Sequence, residues 1–271
     1  MKTYTHTLTI ISIAFLATVS TVSAHIGYTG RDFGVFSVTG SESPVLINSN
    51  TATGNYGWAS GTDANLGDSH KLRAFKFTLL NTGVVTLEIQ GLDIIKSGVP
   101  VSALAHPGFS IYNGLAHLPP AAADHDASFI STLYNDTTYG AGNWQGSFNA
   151  LGDWKIGSDD GSTFADLSSF TYVGNAADGS ASNYGNASGI HGDGVADNYV
   201  KASFVLGPGD YSIFVGGGDI AGISTSSYAF NSALSVGVVP EPSTYLLFGL
   251  GALVVIIAYR RRAAEGSHHY F

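Results

Sequence analysis

The sequence predicts an all-β protein: an antiparallel β-sandwich or jelly-roll ectodomain with long Gly- and Asp-rich loops, followed by one C-terminal hydrophobic helix. Three observations lead to this prediction. The chain of 271 residues contains 35 glycines, while 11% of its residues are charged and 44% are hydrophobic, a composition typical of turn-rich β proteins. Short segments alternate apolar and polar residues with the period of a half-buried strand. Near the C-terminus, a long uncharged run ends on three arginines.

Two pairs of segments show the alternation most clearly. Residues 75–79 and 85–89 place apolar side chains at every second position, on either side of the sequence NTG. The same pattern occurs at 200–206 and 211–215, around the sequence GPGD. Each pair therefore predicts a β-hairpin. Further strands are predicted at 228–238 and, from weaker patterns, at 34–38, 109–112 and 170–173.

The N-terminus has the features of a secretory signal peptide. Lys2 precedes a largely apolar run at residues 8–19, and the small residues Val22 and Ala24 precede a cleavage site between Ala24 and His25. Residues 1–24 are therefore predicted to be removed on export. The remaining body, 25–238, is long enough to form one β-sandwich ectodomain with its own core.

Charge and cysteine content narrow the possible partners and stabilising bonds. The chain has 11 basic and 20 acidic residues, a formal net charge of −9, and no cysteine. Nucleic-acid binding depends largely on neutralising phosphates with basic side chains, so we expect no nucleic-acid partner. An exported chain without cysteine has no disulfides, and the fold must depend on its core.

The C-terminal segment combines a short motif, a membrane span and a basic stop. Val239, Pro240, Glu241 and Pro242 end the last strand, because proline cannot donate a backbone hydrogen bond. Residues 245–259 carry no formal charge, and Arg260, Arg261 and Arg262 follow. The positive-inside rule places these arginines and the tail 263–271 in the cytoplasm, and the body outside it.

This order of features in 239–262 resembles the PEP-CTERM sorting signal of Gram-negative bacteria. The resemblance implies an inner-membrane-anchored precursor that an exosortase cuts near Pro240–Pro242, and a mature form at the cell surface or in the extracellular matrix. It also implies an exopolysaccharide or biofilm setting. A permanent single-span anchor is the alternative. The strand pairs of the body resemble those of secreted pre-peptidase-type β-sandwich modules, which implies an accessory or adhesive role without catalytic residues.

Three acidic clusters are candidate cation sites. They combine carboxylates with glycines that let the backbone curl around an ion, which suits a structural Ca²⁺. Turn and helix-cap chemistry explains the same residues equally well. The candidate ligands are Asp124, Asp126, Asp159, Asp160, Asp193 and Asp197.

Aromatic residues and the mature N-terminus suggest two further functions. Trp58, Trp144 and Trp154 could form a sugar-stacking surface, as in a carbohydrate-binding module, although such rings are more often part of a core. After signal cleavage, His25 would offer an amine and an imidazole to copper, as in copper-dependent polysaccharide oxidases, if a second histidine lay nearby. The main prediction remains an exported, non-catalytic structural or adhesive protein, which binds a glycan or self-assembles.

Overall fold

The computed structural model describes most of the predicted ectodomain. The described residues are 26–40, 43–55, 57–58, 66–69, 71–116, 147–156, 168–180, 184, 189–218, 224, 226–239 and 255–256. Within them the chain forms fourteen strands: β1 Asp32–Phe36, β2 Val45–Thr53, β3 Leu66–Asp68, β4 Arg73–Leu79, β5 Gly83–Gly91, β6 Ile94–Lys96, β7 Val99–Val101, β8 Pro107–Asn113, β9 Ser147–Asn149, β10 Trp154–Ile156, β11 Ser168–Ala177, β12 Tyr199–Leu206, β13 Gly209–Gly217 and β14 Ser227–Gly237.

Two main sheets contain ten of these strands. A six-stranded sheet has the order β1-β4-β13-β8-β11-β10, and a four-stranded sheet has the order β12-β5-β14-β2. Neighbouring strands are antiparallel except β1 and β4, which are parallel. Two small sheets pair β3 with β9 and β6 with β7. The all-β, antiparallel fold predicted from the sequence is confirmed.

The inner faces of the two main sheets share one hydrophobic core. From the six-stranded sheet, strands β4, β8 and β13 contribute alternate side chains, and from the four-stranded sheet strands β5, β12 and β14 do the same. This is the arrangement of a β-sandwich, in which each strand turns one apolar face inward. The core side chains include Phe75, Phe77, Val85, Leu87, Ile89, Phe109, Ile111, Ile213, Val215, Phe230 and Leu234.

A second core covers the outer face of the six-stranded sheet. Tyr112, on β8, and Phe214, on β13, point to this side and meet buried rings from outside the central strands. The strands β8 and β13 are therefore buried on both faces. The covering side chains include Ile26, Tyr28, Trp58, Phe148, Trp154 and Tyr184.

The two predicted hairpins are wrong in their pairing, although their strands exist. β4 pairs with β1 and β13, whereas β5 pairs with β12 and β14. The turn between β4 and β5 thus carries the chain from one sheet to the other, and the turn between β12 and β13 does the same. A hairpin and a turn between facing sheets both need strands with one apolar face, so alternation alone does not distinguish them.

The other predicted strands have mixed outcomes. β1, β8, β11 and β14 lie where the patterns place them, whereas β2, β3, β6, β7, β9 and β10 were not predicted. Of the predicted C-terminal helix, only Val255 and Ile256 are described, and they are helical. No helix among the described residues is long and apolar enough to cross a membrane.

Replacing Ser110 with alanine should destabilise the second core. The buried Ser110 hydroxyl accepts a hydrogen bond from Trp58 Nε1 at 2.8 Å and donates one to the Ala150 carbonyl at 2.7 Å. Ser110→Ala removes the partner of a buried indole N–H, which costs about 1–3 kcal/mol in the free energy of unfolding. For a domain of this size we expect the midpoint of a thermal melt to fall by about 2–4 °C per kcal/mol.

Ser203→Ala is the matched control, because Ser203 is also on a strand. Its exposed hydroxyl bonds Thr86 Oγ1 at 2.7 Å, so we expect a change within about 0.5 kcal/mol. Equal losses in the two variants would contradict a special role for the buried bond.

Candidate metal centre

Three carboxylates converge at one end of the sandwich. Asp178, Asp193 and Asp197, here called the acidic triad, each offer one oxygen, and these oxygens all lie within 4.8 Å of one another. Asp178 directly follows β11, which ends at Ala177, and the other two lie in the loop before β12, which begins at Tyr199. β11 belongs to the six-stranded sheet and β12 to the four-stranded sheet. The triad therefore lies where the two sheets meet.

Backbone hydrogen bonds hold the two segments of the triad together. The Ala177 N–H donates to the His191 carbonyl at 3.0 Å, and the Asp193 N–H donates to the Ala177 carbonyl at 3.0 Å. The Gly194 N–H donates to the Gly179 carbonyl at 2.8 Å. Both glycines have positive φ, 87° and 86°, a conformation that glycine adopts without steric cost. The loop is thus positioned by its main chain.

Asp178 is the buried member of the triad. Its side chain is inaccessible to solvent, and its two oxygens accept hydrogen bonds from the main-chain N–H groups of Asp197 at 2.9 Å and Asn198 at 3.1 Å. His106 Nδ1 lies 3.2 Å from Oδ2. Burial raises the pKa of Asp178 above its ordinary value, although the two N–H groups and His106 oppose this shift. A bound cation would favour the ionised carboxylate.

Asp193 and Asp197 are exposed and point one oxygen each at main-chain donors. Asp193 Oδ1 accepts from the N–H groups of Gly179 at 2.8 Å and Val195 at 3.0 Å. Asp197 Oδ1 accepts from the Tyr199 N–H at 3.1 Å. Within the described part of the chain, these bonds leave the second oxygen of each carboxylate without a hydrogen bond. The triad is thus a group of three oxygen ligands, of which those from Asp193 and Asp197 are exposed to solvent.

The structure brings together two of the six predicted acidic ligands. Asp193 and Asp197 meet as part of the triad, whereas the predictions for Asp124, Asp126, Asp159 and Asp160 lie outside the described residues. The sequence interpretation missed Asp178. Its signal was an Asp-Gly pair directly after a strand, which is also an ordinary turn signal.

The predicted sugar-stacking surface requires a correction. Trp58 and Trp154 are 0% and 1% exposed. The Trp58 ring packs edge-on against Tyr184, and Trp154 stacks on Phe170 with ring centroids 4.8 Å apart. Neither ring has a free face for a sugar, because both belong to the second core. Trp144 lies outside the described residues.

A polar depression lies instead on the outer face of the four-stranded sheet. It has a volume of about 360 Å³, and its lining includes Leu46, Asn48, Glu88, Gln90, Tyr199 and Asn231. The small residue Ala233 pairs with Glu88 on β5 and with Leu46 on β2, and its short side chain leaves space between them. Three amide side chains therefore border one shallow concave surface.

The only formal charge lining the depression is paired. Glu88 accepts hydrogen bonds from Lys201 Nζ at 2.7 Å and from the Tyr199 hydroxyl at 2.9 Å. The Lys201 hydrogen bond lowers the pKa of Glu88, and Tyr199 acts in the same direction. Burial, and then the bond to Glu88, raise the pKa of Tyr199 to about 12. The depression is close to neutral on a strongly acidic protein.

The residues predicted for export and sorting lie mostly outside the described part. This applies to Ala24, His25, Pro240, Glu241, Pro242 and Arg260, Arg261 and Arg262. Val239 is described. It lies two residues beyond the end of β14 at Gly237 and is 37% exposed.

Comparison with solved structures found remote similarities. CorA, a surface-associated copper-binding protein of Methylomicrobium album BG8, is 14% identical with a TM-score of 0.46, over 70% of this chain and 93% of CorA. The secreted protein MopE of Methylococcus capsulatus, in which an oxidised tryptophan facilitates copper binding, is 14% identical with a TM-score of 0.42, over 77% of this chain and 87% of MopE. No curated protein matches the chain. These similarities are too remote to assign a ligand to this protein.

Comparison with family models identifies the C-terminal segment. The PEP-CTERM protein-sorting motif matches residues 238–262, which is the segment that the sequence predicted from Pro240–Pro242, the apolar run and the arginines. The resemblance stated from the sequence is confirmed. The C-terminal segment therefore carries a PEP-CTERM sorting signal, which implies processing by an exosortase and a membrane-anchored precursor that is sorted to the cell surface or extracellular space.

Proposed function

We propose that this protein is a non-catalytic structural or adhesive component of the cell surface or extracellular matrix, and that Ca²⁺ bound to the acidic triad stabilises its β-sandwich. The observation that carries the proposal is the convergence of three carboxylate oxygens within 4.8 Å of one another. Their hydrogen bonds to main-chain N–H groups fix them in place. Carboxylates that are fixed in this way are better suited to binding an ion than to transferring protons.

The burial of Asp178 supports a cation. An ionised carboxylate without access to solvent is costly unless it is paired, and Asp193 adds a second negative charge that raises the pKa of Asp178. Within the described residues, His106 is the one basic side chain in contact with the triad. A divalent ion would compensate the two exposed carboxylates as well as the buried one.

The donor set favours Ca²⁺ over copper. Ca²⁺ prefers carboxylate and carbonyl oxygens in a flexible geometry, whereas copper prefers nitrogen or sulfur ligands. The three triad ligands are all carboxylates, and His106 lies against Asp178. The alternative of copper at the mature N-terminus rests on His25, which is outside the described residues.

An ion in the triad would join the two sheets of the sandwich. Asp178 follows β11 in the six-stranded sheet, and Asp197 lies two residues before Tyr199, where β12 begins in the four-stranded sheet. One ion would thus connect the end of one sheet to the beginning of an edge strand of the other. In a chain without cysteine, such a link would take the place of a disulfide.

Ca²⁺ should raise the melting temperature of the mature protein. If the ion binds only the folded state, the free energy of unfolding rises by about 2.7 kcal/mol at a hundredfold excess over Kd, or several degrees for a domain of this size. The measurement is a thermal melt in chelator, in Ca²⁺ and in matched Mg²⁺. Mg²⁺ demands octahedral geometry and keeps its waters, so its effect should be smaller.

Asp193→Asn should abolish most of this shift. An asparagine oxygen can still accept the hydrogen bonds from Gly179 and Val195, so the substitution removes charge with little change in the loop. Asp210→Asn is the control, because Asp210 bonds Thr78 at a distance from the triad. A Ca²⁺ shift of full size in Asp193→Asn, or equal shifts with Ca²⁺ and Mg²⁺, would exclude the triad as a calcium site.

Sorting should depend on the motif residues themselves and not only on the apolar run. Glu241→Ala with Pro242→Ala leaves residues 245–259 unchanged, so the precursor should still reach the inner membrane. If the processing enzyme recognises the motif, the double variant should remain there at full length. The measurement is the distribution of the protein between the inner membrane, the cell surface and the medium by immunoblot.

Ser243→Ala with Thr244→Ala is the matched control for this experiment. These residues lie between the motif and the apolar run, and their replacement should leave maturation intact. Normal maturation of the motif variant would show that the apolar run and arginines suffice.

A second candidate function is the binding of a neutral polysaccharide in the polar depression. Its amide groups, from Asn48, Gln90 and Asn231, can donate and accept hydrogen bonds from sugar hydroxyls, and its one carboxylate is paired with Lys201. Because Lys201 compensates the charge of Glu88, this surface suits an uncharged glycan. The predicted exopolysaccharide partner would bind here and not on the buried tryptophans.

Asn48→Ala with Gln90→Ala should weaken binding to the producer's own exopolysaccharide by about tenfold, if each lost hydrogen bond contributes about 0.5–1.5 kcal/mol. Both side chains are exposed, so the fold should be retained. The measurement is a titration of the mature protein with the purified polysaccharide. Thr86→Ala, on the same sheet but outside the depression, is the control, and equal affinities for all three proteins would exclude this surface.

A further inference from the structure

One end of the sandwich, here called the anchor end, consists of residues 80–84, 205–209 and 235–239. The strand register brings these segments together. Leu206 lies opposite Gly83, and Gly237 lies opposite Val84. β14 ends in the last of these segments, so the chain leaves the folded body at this end.

The three segments of the anchor end are uncharged and partly apolar, and the exposed Asp210, which directly follows the second segment, accepts a hydrogen bond from Thr78. None of its three segments contains Asp, Glu, Lys, Arg or His. Leu80 is 59% exposed and Val205 is 64% exposed. Val238 and Val239 are 49% and 37% exposed. The opposite end carries the acidic triad. The two ends of the sandwich therefore differ in both charge and polarity.

The sorting motif begins directly at the anchor end. Its match starts at Val238, one residue after β14 ends at Gly237. Seven residues, 238–244, separate β14 from the uncharged run at 245–259, and seven residues span at most about 25 Å when fully extended. β12 has 8 residues and ends here at Leu206, which places the opposite end, where β12 begins, roughly another 26 Å away.

We propose that the anchor end of the membrane-anchored precursor rests on the outer leaflet of the inner membrane, with Leu80 and Val205 in the lipid headgroup region. The inference rests on the sorting of the precursor described above. The short connection keeps this end near the bilayer, and the absence of charged side chains from its three segments lowers the cost of approaching lipid. Exposed apolar side chains gain by burial at such an interface.

The experiment uses the natural lack of cysteine in the chain. Leu80→Cys and Val205→Cys in the full-length precursor each provide one site for an environment-sensitive fluorophore. Ile95→Cys is the matched control, because Ile95 is 77% exposed on β6, which follows the opposite end of β5. The labelled precursors are reconstituted into vesicles of phosphatidylethanolamine and phosphatidylglycerol, with or without lipids that carry a quencher near the headgroup.

We expect the quencher lipids to reduce fluorescence at positions 80 and 205 and to leave position 95 unchanged. Two test positions are used in case one of the substitutions disturbs the fold, and thermal melts of the labelled proteins check for such a defect. Equal quenching at all three positions, or none at 80 and 205, would overturn the proposal.

Flotation of the same vesicles tests anchoring separately. A precursor that floats but shows no quenching at 80 and 205 would show that the membrane anchor is present and that the proposed contact is absent. A precursor that does not float contradicts the anchoring and the contact together.

Discussion

Burial of the central strands β8 and β13 of the six-stranded sheet on both faces is the constraint on which the rest of the structure depends. Its inner face forms the sandwich core, and its outer face needs a second cover. At the centre of that cover, Tyr112 makes edge contacts with Phe148, Trp154 and Phe214 at centroid distances of 6.0, 6.3 and 5.6 Å. The tryptophans are therefore used for structure. The face left open to solvent is the outer side of the four-stranded sheet, where the polar depression lies.

The sequence predicted where the strands are better than how they pair. Alternation located β4, β5, β12 and β13 because each turns one apolar face to the core. It did not reveal that the chain changes sheets at both tight turns, since a partner strand is a property of the whole fold. The edge strand β2 was missed because its solvent-facing positions and its bulge near Ser49, where φ is 59°, weaken the pattern.

The sequence predicted only part of the acidic triad, because the three carboxylates do not come from one stretch of the chain. Asp193 and Asp197 stand close together in the sequence, and their spacing with glycine suggested a cation loop. Asp178 comes from a different strand end, and only tertiary structure brings it into the triad. The solvent exposure of a side chain also depends on the tertiary structure. For this reason Trp58 and Trp154 suggested a sugar surface, although both are buried. By contrast, the sorting motif consists of consecutive residues, so the sequence alone was sufficient to identify it.

The position of β14 has a consequence for the order of events during export. β14 is the last strand before the sorting motif, yet it lies inside the four-stranded sheet, between β5 and β2. Its partner β2 is far away in sequence, with Leu234 opposite Val45, so this sheet forms only by closing a long loop of chain. The sheet cannot be completed until residues up to Gly237 have crossed the inner membrane. The body therefore cannot finish folding before the sorting motif, which follows β14 directly, reaches the membrane.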